Sequence, residues 1–425
     1  MSYKSFIYLD NNGTTQQCKK SIDACNYWAH NCANASTNNI LAQPSIKLIE
    51  DSKKYIAKHS NIDINDYNII YTSGGTESNC YIIKSLVCSS IKKPHVIISS
   101  IEHNSIIECC MQLYNYNKME LTMIEPNSEG IISSIDVKNA IKSNTILISI
   151  MYANNELGTI NPIMEIGQIA KRYNVPFHSD CVQVFGKYKI DLDKFNLFAI
   201  SASFHKLYGP VGIGLLIIKK SVINKYKLKA LITGTQQSNL RGGTMPVTLI
   251  AGSIEAVKDT FINRNKKNKN LLQLKQYIIN TLRKYLQIQY YPEHIIKSKI
   301  TKDVGIVIFS SKNHCIENTL LISILVKSIK FCNINLKKYL ESRGVIVSIG
   351  SACNTLKTNA SHVITSLHTP PLLRRGILRI SLGDHNTITQ LDKFINILLS
   401  GINDQVNITS YLTNYKLNKY NKITL

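Results

Sequence analysis

Short apolar runs recur through the first half of the chain, at Asn68 to Thr72, His95 to Ser99, Thr145 to Met151, Val175 to His178, Phe198 to Ala202 and Gly214 to Ile218. Helix-like stretches such as Ile163 to Tyr173 lie between several of them. Strands alternating with helices read as an α/β domain, and runs apolar on both faces read as buried parallel strands. In open sheets of this kind the ligand crevice lies at the carboxyl ends of the strands. The residues just after each run are therefore the ones to search for chemistry.

Four of these strand ends are unusual. Tyr71-Thr72-Ser73-Gly74-Gly75-Thr76-Glu77-Ser78-Asn79 joins a strand through two glycines to hydroxyl and acidic residues that suit the first turn of a helix. Exposed N–H groups and the positive end of the helix dipole favour a phosphate there, although a strand-to-helix turn also needs glycine for steric reasons. Ser100-Ile101-Glu102-His103 puts an imidazole directly after a strand, and Phe177-His178-Ser179-Asp180 puts an acid there, which also suits a helix cap. Ile200-Ser201-Ala202-Ser203-Phe204-His205-Lys206 ends an apolar strand in a serine, a histidine and a lysine. A partly desolvated lysine beside another cation has a depressed pKa, the condition for a Schiff-base amine. Phosphate anchor, ring-nitrogen partner, stacking imidazole and lysine are together what pyridoxal 5'-phosphate requires.

Composition narrows the classes. With 425 residues and 44% hydrophobic content the chain is long and apolar enough for a large core or two ordinary ones, which excludes general disorder. No run approaches the roughly 18 apolar residues of a membrane helix, and the N-terminus enters the strand-like Phe6-Ile7-Tyr8-Leu9 at once, so the expectation is a cytoplasmic protein with no membrane role. The 11 cysteines contain no Cys-x-x-Cys pair and predict free thiols, with no metal site. Cys18, Cys25 and Cys32 repeat every seven residues and read as a helix packing stripe, and Cys332 in its apolar segment reads as packing. The formal charge of +23 attracts nucleic acid, anionic membrane or acidic protein without naming one. Only eight of the 50 basic residues are arginine, and the densest basic stretch, Asn263 to Tyr285, reads as an amphipathic helix with a solvated lysine face.

The segments resemble, in order and spacing, the NifS/IscS-type cysteine desulfurases of the class V aminotransferase-like enzymes. The resemblance rests on Tyr8-Leu9-Asp10-Asn11-Asn12-Gly13-Thr14-Thr15, Asn34-Ala35-Ser36-Thr37, the Gly75-Thr76 turn, Glu102-His103, Asn154-Asn155-Glu156-Leu157-Gly158, the Asp180 and Lys206 segments, Arg241-Gly242-Gly243-Thr244-Met245-Pro246, Gly350-Ser351-Ala352-Cys353 and Leu378-Arg379-Ile380-Ser381-Leu382-Gly383. It implies a PLP-dependent transferase fold of the aspartate aminotransferase type. A large domain with a mostly parallel sheet is expected over 15–260, and a smaller α+β domain, from 1–14 and 261–425, carries the cysteine loop. Gly344 to Ser348 and Leu378 to Leu382 are expected as strands of the smaller domain.

Residue by residue, the resemblance makes Lys206 the lysine that bonds pyridoxal 5'-phosphate, Asp180 the partner of its ring nitrogen and His103 the stacking acid/base group. It sets Asn155 and Gln183 near the phenolic oxygen and Gly75, Thr76, Ser203 and His205 around the phosphate. Thr244 matches a phosphate ligand supplied by a neighbouring subunit, which implies a homodimer. Asn34 and Arg379 match the groups that hold the substrate carboxylate. Cys353, among small and polar neighbours, matches the nucleophile that takes sulfur from L-cysteine as a persulfide, and its distance along the chain from Arg379 resembles the long-loop branch. The sulfur then goes to an acceptor for iron–sulfur cluster assembly or tRNA thiolation.

Departures from the pattern are Gly13 for a common alanine, Ala35 for proline, Cys80 for asparagine, and Asp384 after Ser-Leu-Gly, near enough to Arg379 to alter its electrostatics. Selenocysteine lyase or cysteine sulfinate desulfinase chemistry, an aminotransferase, and a non-catalytic basic binding protein are the competing readings. The Lys206, Asp180, His103, Cys353 and Arg379 set opposes the binding protein, and Gly-Ser-Ala-Cys disfavours the aminotransferase. The charge excess is expected to serve an acidic sulfur acceptor or direct tRNA contact.

Overall fold

A computed structural model describes residues 6–37, 39–292, 304–326, 331–349 and 361–406. The apolar runs form six strands of a seven-stranded sheet. Its strands are β2 (Tyr67–Thr72), β3 (His95–Ser99), β4 (Glu120–Ile124), β5 (Thr145–Ser149), β6 (Phe177–Asp180), β7 (Ala199–Ser203) and β8 (Gly214–Lys219), where β1 is the short Ile7–Tyr8. The spatial order is β2-β8-β7-β6-β5-β3-β4.

Strands β3 to β7 run parallel, but β8 pairs antiparallel with both β7 and β2, which corrects the expectation that Gly214 to Ile218 is a parallel strand. The connection from β7 to β8 is too short for a crossover helix, so the chain turns straight back. A strand buried on both faces reads the same in either direction, and Leu215, Leu216, Ile217 and Ile218 are all fully buried. Glu120–Ile124 was not among the expected strands because it is an edge strand with only Ile124 buried.

The second sheet has the order β13-β11-β10-β9, with β9 Gln287–Tyr290, β10 Val304–Ile308, β11 Thr319–Val326 and β13 Ile377–Ser381. β1 pairs parallel with β12 (Val345–Ile346), and Asp10 bridges to Ser381. The N-terminal segment thus lies against the C-terminal part of the chain. Ile7 and Leu9 share a core with Ile306, Ile322, Val345 and Ile380.

One helix, Val247–Arg283, spans both sheets' cores. Its first half buries Val247, Ile250, Ile254 and Phe261 against the large sheet, and its second half buries Leu271, Leu274, Ile278 and Leu282 against the smaller one. The expected lysine face is broken at Lys275, which is buried and donates to the Ile316 carbonyl at 2.9 Å, while Leu272 falls off the apolar stripe and is exposed. Of the cysteine stripe only Cys25 lies within a helix, Lys19–Asn31; Cys18 and Cys32 flank it. Cys25 packs on Gly252 so closely that a Cβ there would stand 2.3 Å from its sulfur.

Candidate active site

The carboxyl ends of β2, β3, β5, β6 and β7 open into one cavity of about 320 Å³. Gly75, Thr76, His103, Asn155, Asp180, Gln183, Ser203, His205, Lys206 and Arg379 all line it, so ten of the expected residues meet. Thr244 and Asn34 are exposed and lie outside this cavity. Cys353 lies outside the described residues.

The helix Gly75–Ser89 starts at the end of β2 and leaves the N–H groups of its first turn without partners inside the helix. A Cβ at Gly75 would stand 2.7 Å from Cγ2 of Val182, so a larger residue there requires that side chain to shift. Glu77 in the same turn is turned to Arg241, with Nε donating at 3.0 Å. Burial raises its pKa, but the Arg241 and Ser73 N–H donors outweigh this and hold it below the usual carboxylate range.

Lys206 closes the one-turn helix Phe204–Lys206 after β7. Its Nζ donates to the Asn12 carbonyl at 2.6 Å and to the Gly13 carbonyl. Burial, with Arg379 and Lys187 nearby, pushes its pKa down to about 8, while Asp10 and Asp180 oppose the shift. The cation beside it is thus Arg379 rather than His205, whose own pKa falls to about 4 through burial and the Lys206 charge. His205 Nδ1 lies 3.0 Å from Thr14 Oγ1, and Thr15 Oγ1 donates to the His205 carbonyl at 2.8 Å, so the N-terminal segment is stitched to this loop.

Asp180, at the end of β6, accepts from the Val182 N–H at 2.9 Å and from Asn79 Nδ2 at 2.7 Å. His103 caps the helix Asn104–Asn115, its Nδ1 accepting from the Ser105 N–H at 3.1 Å. An Nδ1 that accepts places the neutral ring's proton on Nε2. Burial pulls the His103 pKa below the ordinary imidazole range; Asp180 opposes this and Lys206 and His362 reinforce it. Glu102 beside it is fully buried, accepts from Ser99 Oγ and the Met151 N–H, and is pushed up to about 8 by burial.

Arg379 Nη2 donates to Asp10 Oδ1 at 2.6 Å and Nη1 to the Asn155 carbonyl at 3.1 Å. Asp384 instead pairs with Lys267 at 2.7 Å, so the carboxylate that sets the Arg379 environment is Asp10. Gly13 makes this pairing fit, since a Cβ there would stand 2.7 Å from Asp10 Oδ2.

The residues fit pyridoxal 5'-phosphate. A lysine with a lowered pKa, a buried carboxylate held by two donors, a neutral histidine and a free helix N-terminus share one cavity. Gln183 Oε1 and Arg379 Nε are buried there without partners among the described residues. Sequence reasoning missed Asn12, whose carbonyl accepts from both Lys206 and Gln183, and Asn79 and Ser105 behind Asp180 and His103. Asn79 stands three residues after Thr76 on the same helix, a spacing that shares a face and would have flagged it.

The layout is that of the PLP-dependent transferase fold. Residues 7–394 match the model of the family described as Aminotransferase class-V, and the chain belongs to that family, whose enzymes depend on pyridoxal 5'-phosphate. It is 33% identical over 419 residues to the cysteine desulfurase IscS of Dictyoglomus turgidum, covering 98% of this chain and 99% of that relative. It is also 33% identical to the cysteine desulfurase IscS of Methanosarcina thermophila, over 92% and 91% of the two chains. Among solved structures, a NifS-like protein superposes with a TM-score of 0.81 at 25% identity over 94% of this chain and all of the other. A structure titled SspA in complex with cysteine superposes with a TM-score of 0.74 at 30% identity, covering 90% of this chain and all of that one. The resemblance read from the motifs is borne out.

Proposed function

We propose that the protein is a cysteine desulfurase that converts L-cysteine to L-alanine and passes the sulfur through Cys353. The observation that carries this is one cavity holding both an amine with a lowered pKa, Lys206, and a guanidinium, Arg379. Those are the receptors for a cofactor aldehyde and an amino-acid carboxylate. The relatives named cysteine desulfurase along nearly the whole chain support the same substrate.

When bound, pyridoxal 5'-phosphate supplies an electron-withdrawing ring that acidifies the Cα proton of an amino acid. Asp180 holds the proton of the ring nitrogen, and the Gly75 and Thr76 turn with Ser203 and His205 receives the phosphate. Arg379 orients the substrate carboxylate through its two-pronged guanidinium. Lys206 Nζ, poised near neutrality, moves the Cα proton, and His103 Nε2 is the second proton carrier. The Cys353 thiolate attacks the substrate sulfur. An S–S bond forms, the Cβ–S bond breaks, and its electron pair stays on Cβ, which takes up a proton so that alanine leaves and a persulfide remains on Cys353.

Thr244, exposed in the single chain, is read as completing the phosphate site of a neighbouring subunit in a homodimer, and Asn34, also exposed, is kept as a candidate group for the substrate carboxylate. The division into 15–260 and 1–14 with 261–425 is kept as the domain reading, the long helix crossing between the two cores. No helix among the described residues is long and apolar enough to cross a membrane, and a cytoplasmic location is proposed. The sulfur acceptor is proposed to be an acidic scaffold for iron–sulfur clusters or a tRNA-thiolation protein, with the +23 charge guiding it, so that raising salt weakens the complex.

Purified protein should be yellow, should form alanine from L-cysteine, and without reductant should carry one added sulfur on the Cys353 peptide by mass spectrometry. Cys353→Ala should keep the colour and lose sulfide release. A Cys353→Ala protein as active on cysteine as the parent would overturn the reading. A Cys353→Ser protein that keeps full activity on selenocysteine or cysteine sulfinate would favour the rival substrates.

A further inference from the structure

Asn79 is buried at 1% exposure on the helix Gly75–Ser89 and reaches the cavity wall. Its Nδ2 donates one hydrogen to Asp180 Oδ2 at 2.7 Å and the other to Ser105 Oγ at 2.9 Å, while its Oδ1 is buried without a partner among the described residues. Ser105 Oγ stands 2.8 Å from His103 Nδ1. Because the Asn79 amide already donates to that hydroxyl, the hydroxyl proton is left to point at Nδ1, which also accepts from the Ser105 N–H. One amide group is thus joined to both acid/base partners of the site.

We propose that Asn79 is a positioning residue that fixes the Asp180 carboxylate toward the cofactor ring nitrogen and, through Ser105, locks His103 with its proton on Nε2. The proposal rests on the PLP-dependent reading of the site. Two anchored groups on different strand ends, Asp180 after β6 and His103 after β3, otherwise share no direct bond among those described. A carboxylate that loses a charge-assisted donor becomes more basic and draws the ring nitrogen's proton toward itself. That weakens the ring as an electron acceptor and raises the pKa of the nitrogen joining it to Lys206. The charged groups around His103 are Asp180, Lys206, His362 and Glu156, and of these Asp180 alone has a described hydrogen bond to Asn79.

The test is the pH titration of the visible band of the cofactor-loaded protein, compared among the parent, Asn79→Leu and Asn79→Ser. Leucine keeps the branched four-atom skeleton with bulkier tips and removes both donors; serine keeps one. In Asn79→Leu the midpoint should rise by about one pH unit, and kcat for cysteine should fall about tenfold with KM within about twofold. Asn79→Ser should fall between. A parental midpoint in Asn79→Leu overturns the proposal, as does lost activity that follows a lowered melting temperature with no midpoint shift. Should Asn79→Leu fail to fold, a parental midpoint in Asn79→Ser overturns it equally. A parent that makes no alanine from cysteine refutes the desulfurase reading alone, because the midpoint shift is read without turnover.

Discussion

Removing the cofactor should expose the cost of holding Lys206 in its cavity. The lysine's pKa falls from 10.5 to about 8, chiefly because the ammonium is desolvated, with Arg379 and Lys187 adding repulsion. At ~1.4 kcal/mol per unit this is about 3 kcal/mol, and the open side of the cavity reduces it to about 2 kcal/mol. The sign follows from proton counting. Between pH 8 and 10.5 the unfolded chain holds the proton that the folded one has released, so stability rises with pH across that window. Below pH 8 both states are protonated and the full cost is present. Urea unfolding of the cofactor-free parent and of Lys206→Met at pH 7, 8.5 and 10 isolates the effect, because every other titrating group is shared. Lys187, itself pushed down to about 8 by burial, titrates in both proteins. Stability of the parent relative to the variant should climb by about 2 kcal/mol between pH 7 and 10. A difference that is flat with pH would refute a desolvated amine at this position.

Three further outcomes follow from the same geometry. Glu102, pushed up to about 8, keeps its proton in the folded state, so Glu102→Gln should unfold within about 1 kcal/mol of the parent at about pH 4, where the unfolded carboxyl is protonated as well. As pH rises from about 4.5 to 8 the parent should lose stability relative to this variant, since the folded state keeps a proton that the unfolded chain gives up; pH-resolved melting reads both. Arg379→Lys loses the fork that meets Asp10, Asn155 and a carboxylate together, and kcat/KM for cysteine should fall about tenfold or more in steady-state assays. Gly158 has φ +77° and a Cβ there would stand 2.7 Å from Cys315 Sγ and 2.8 Å from Thr319 Cβ. Gly158→Ala should therefore cost about 2–4 kcal/mol by chemical denaturation.

The parts of the fold legible in the sequence were those whose chemistry is local. Apolar runs marked β2, β3, β5, β6, β7 and β8, and the residues after them gave Gly75, His103, Asp180 and Lys206. The direction of β8 is not carried by its own residues, because burial on both faces erases any signature of its partners, and only the short connection from β7 carries it; edge strand β4 was lost because only Ile124 is buried. Lys206 was flagged by its place at the end of an apolar strand, and its depressed pKa has the expected cause in burial. The identity of the neighbouring cation was not legible, since Arg379 is brought in from β13 by the second sheet.

That long-range placement depends on the N-terminal segment more than any single motif suggested. Asn12 donates to Thr319 Oγ1 at 2.7 Å and to the Asn155 carbonyl at 3.0 Å, its N–H donates to Ser381 Oγ, and its carbonyl accepts from Lys206 and Gln183. Asp10, two residues earlier, holds Arg379. The same six residues, Asp10 to Thr15, therefore bind the amine of one sheet and the guanidinium of the other, and set the distance between the two receptors of the cavity. In sequence they carry part of the family resemblance but give no sign of their partners, because the groups they satisfy are about 140 to 370 positions away. The spacing of receptors that a substrate must bridge is thus a tertiary property, fixed by backbone carbonyls and short amide side chains rather than by the reactive residues themselves.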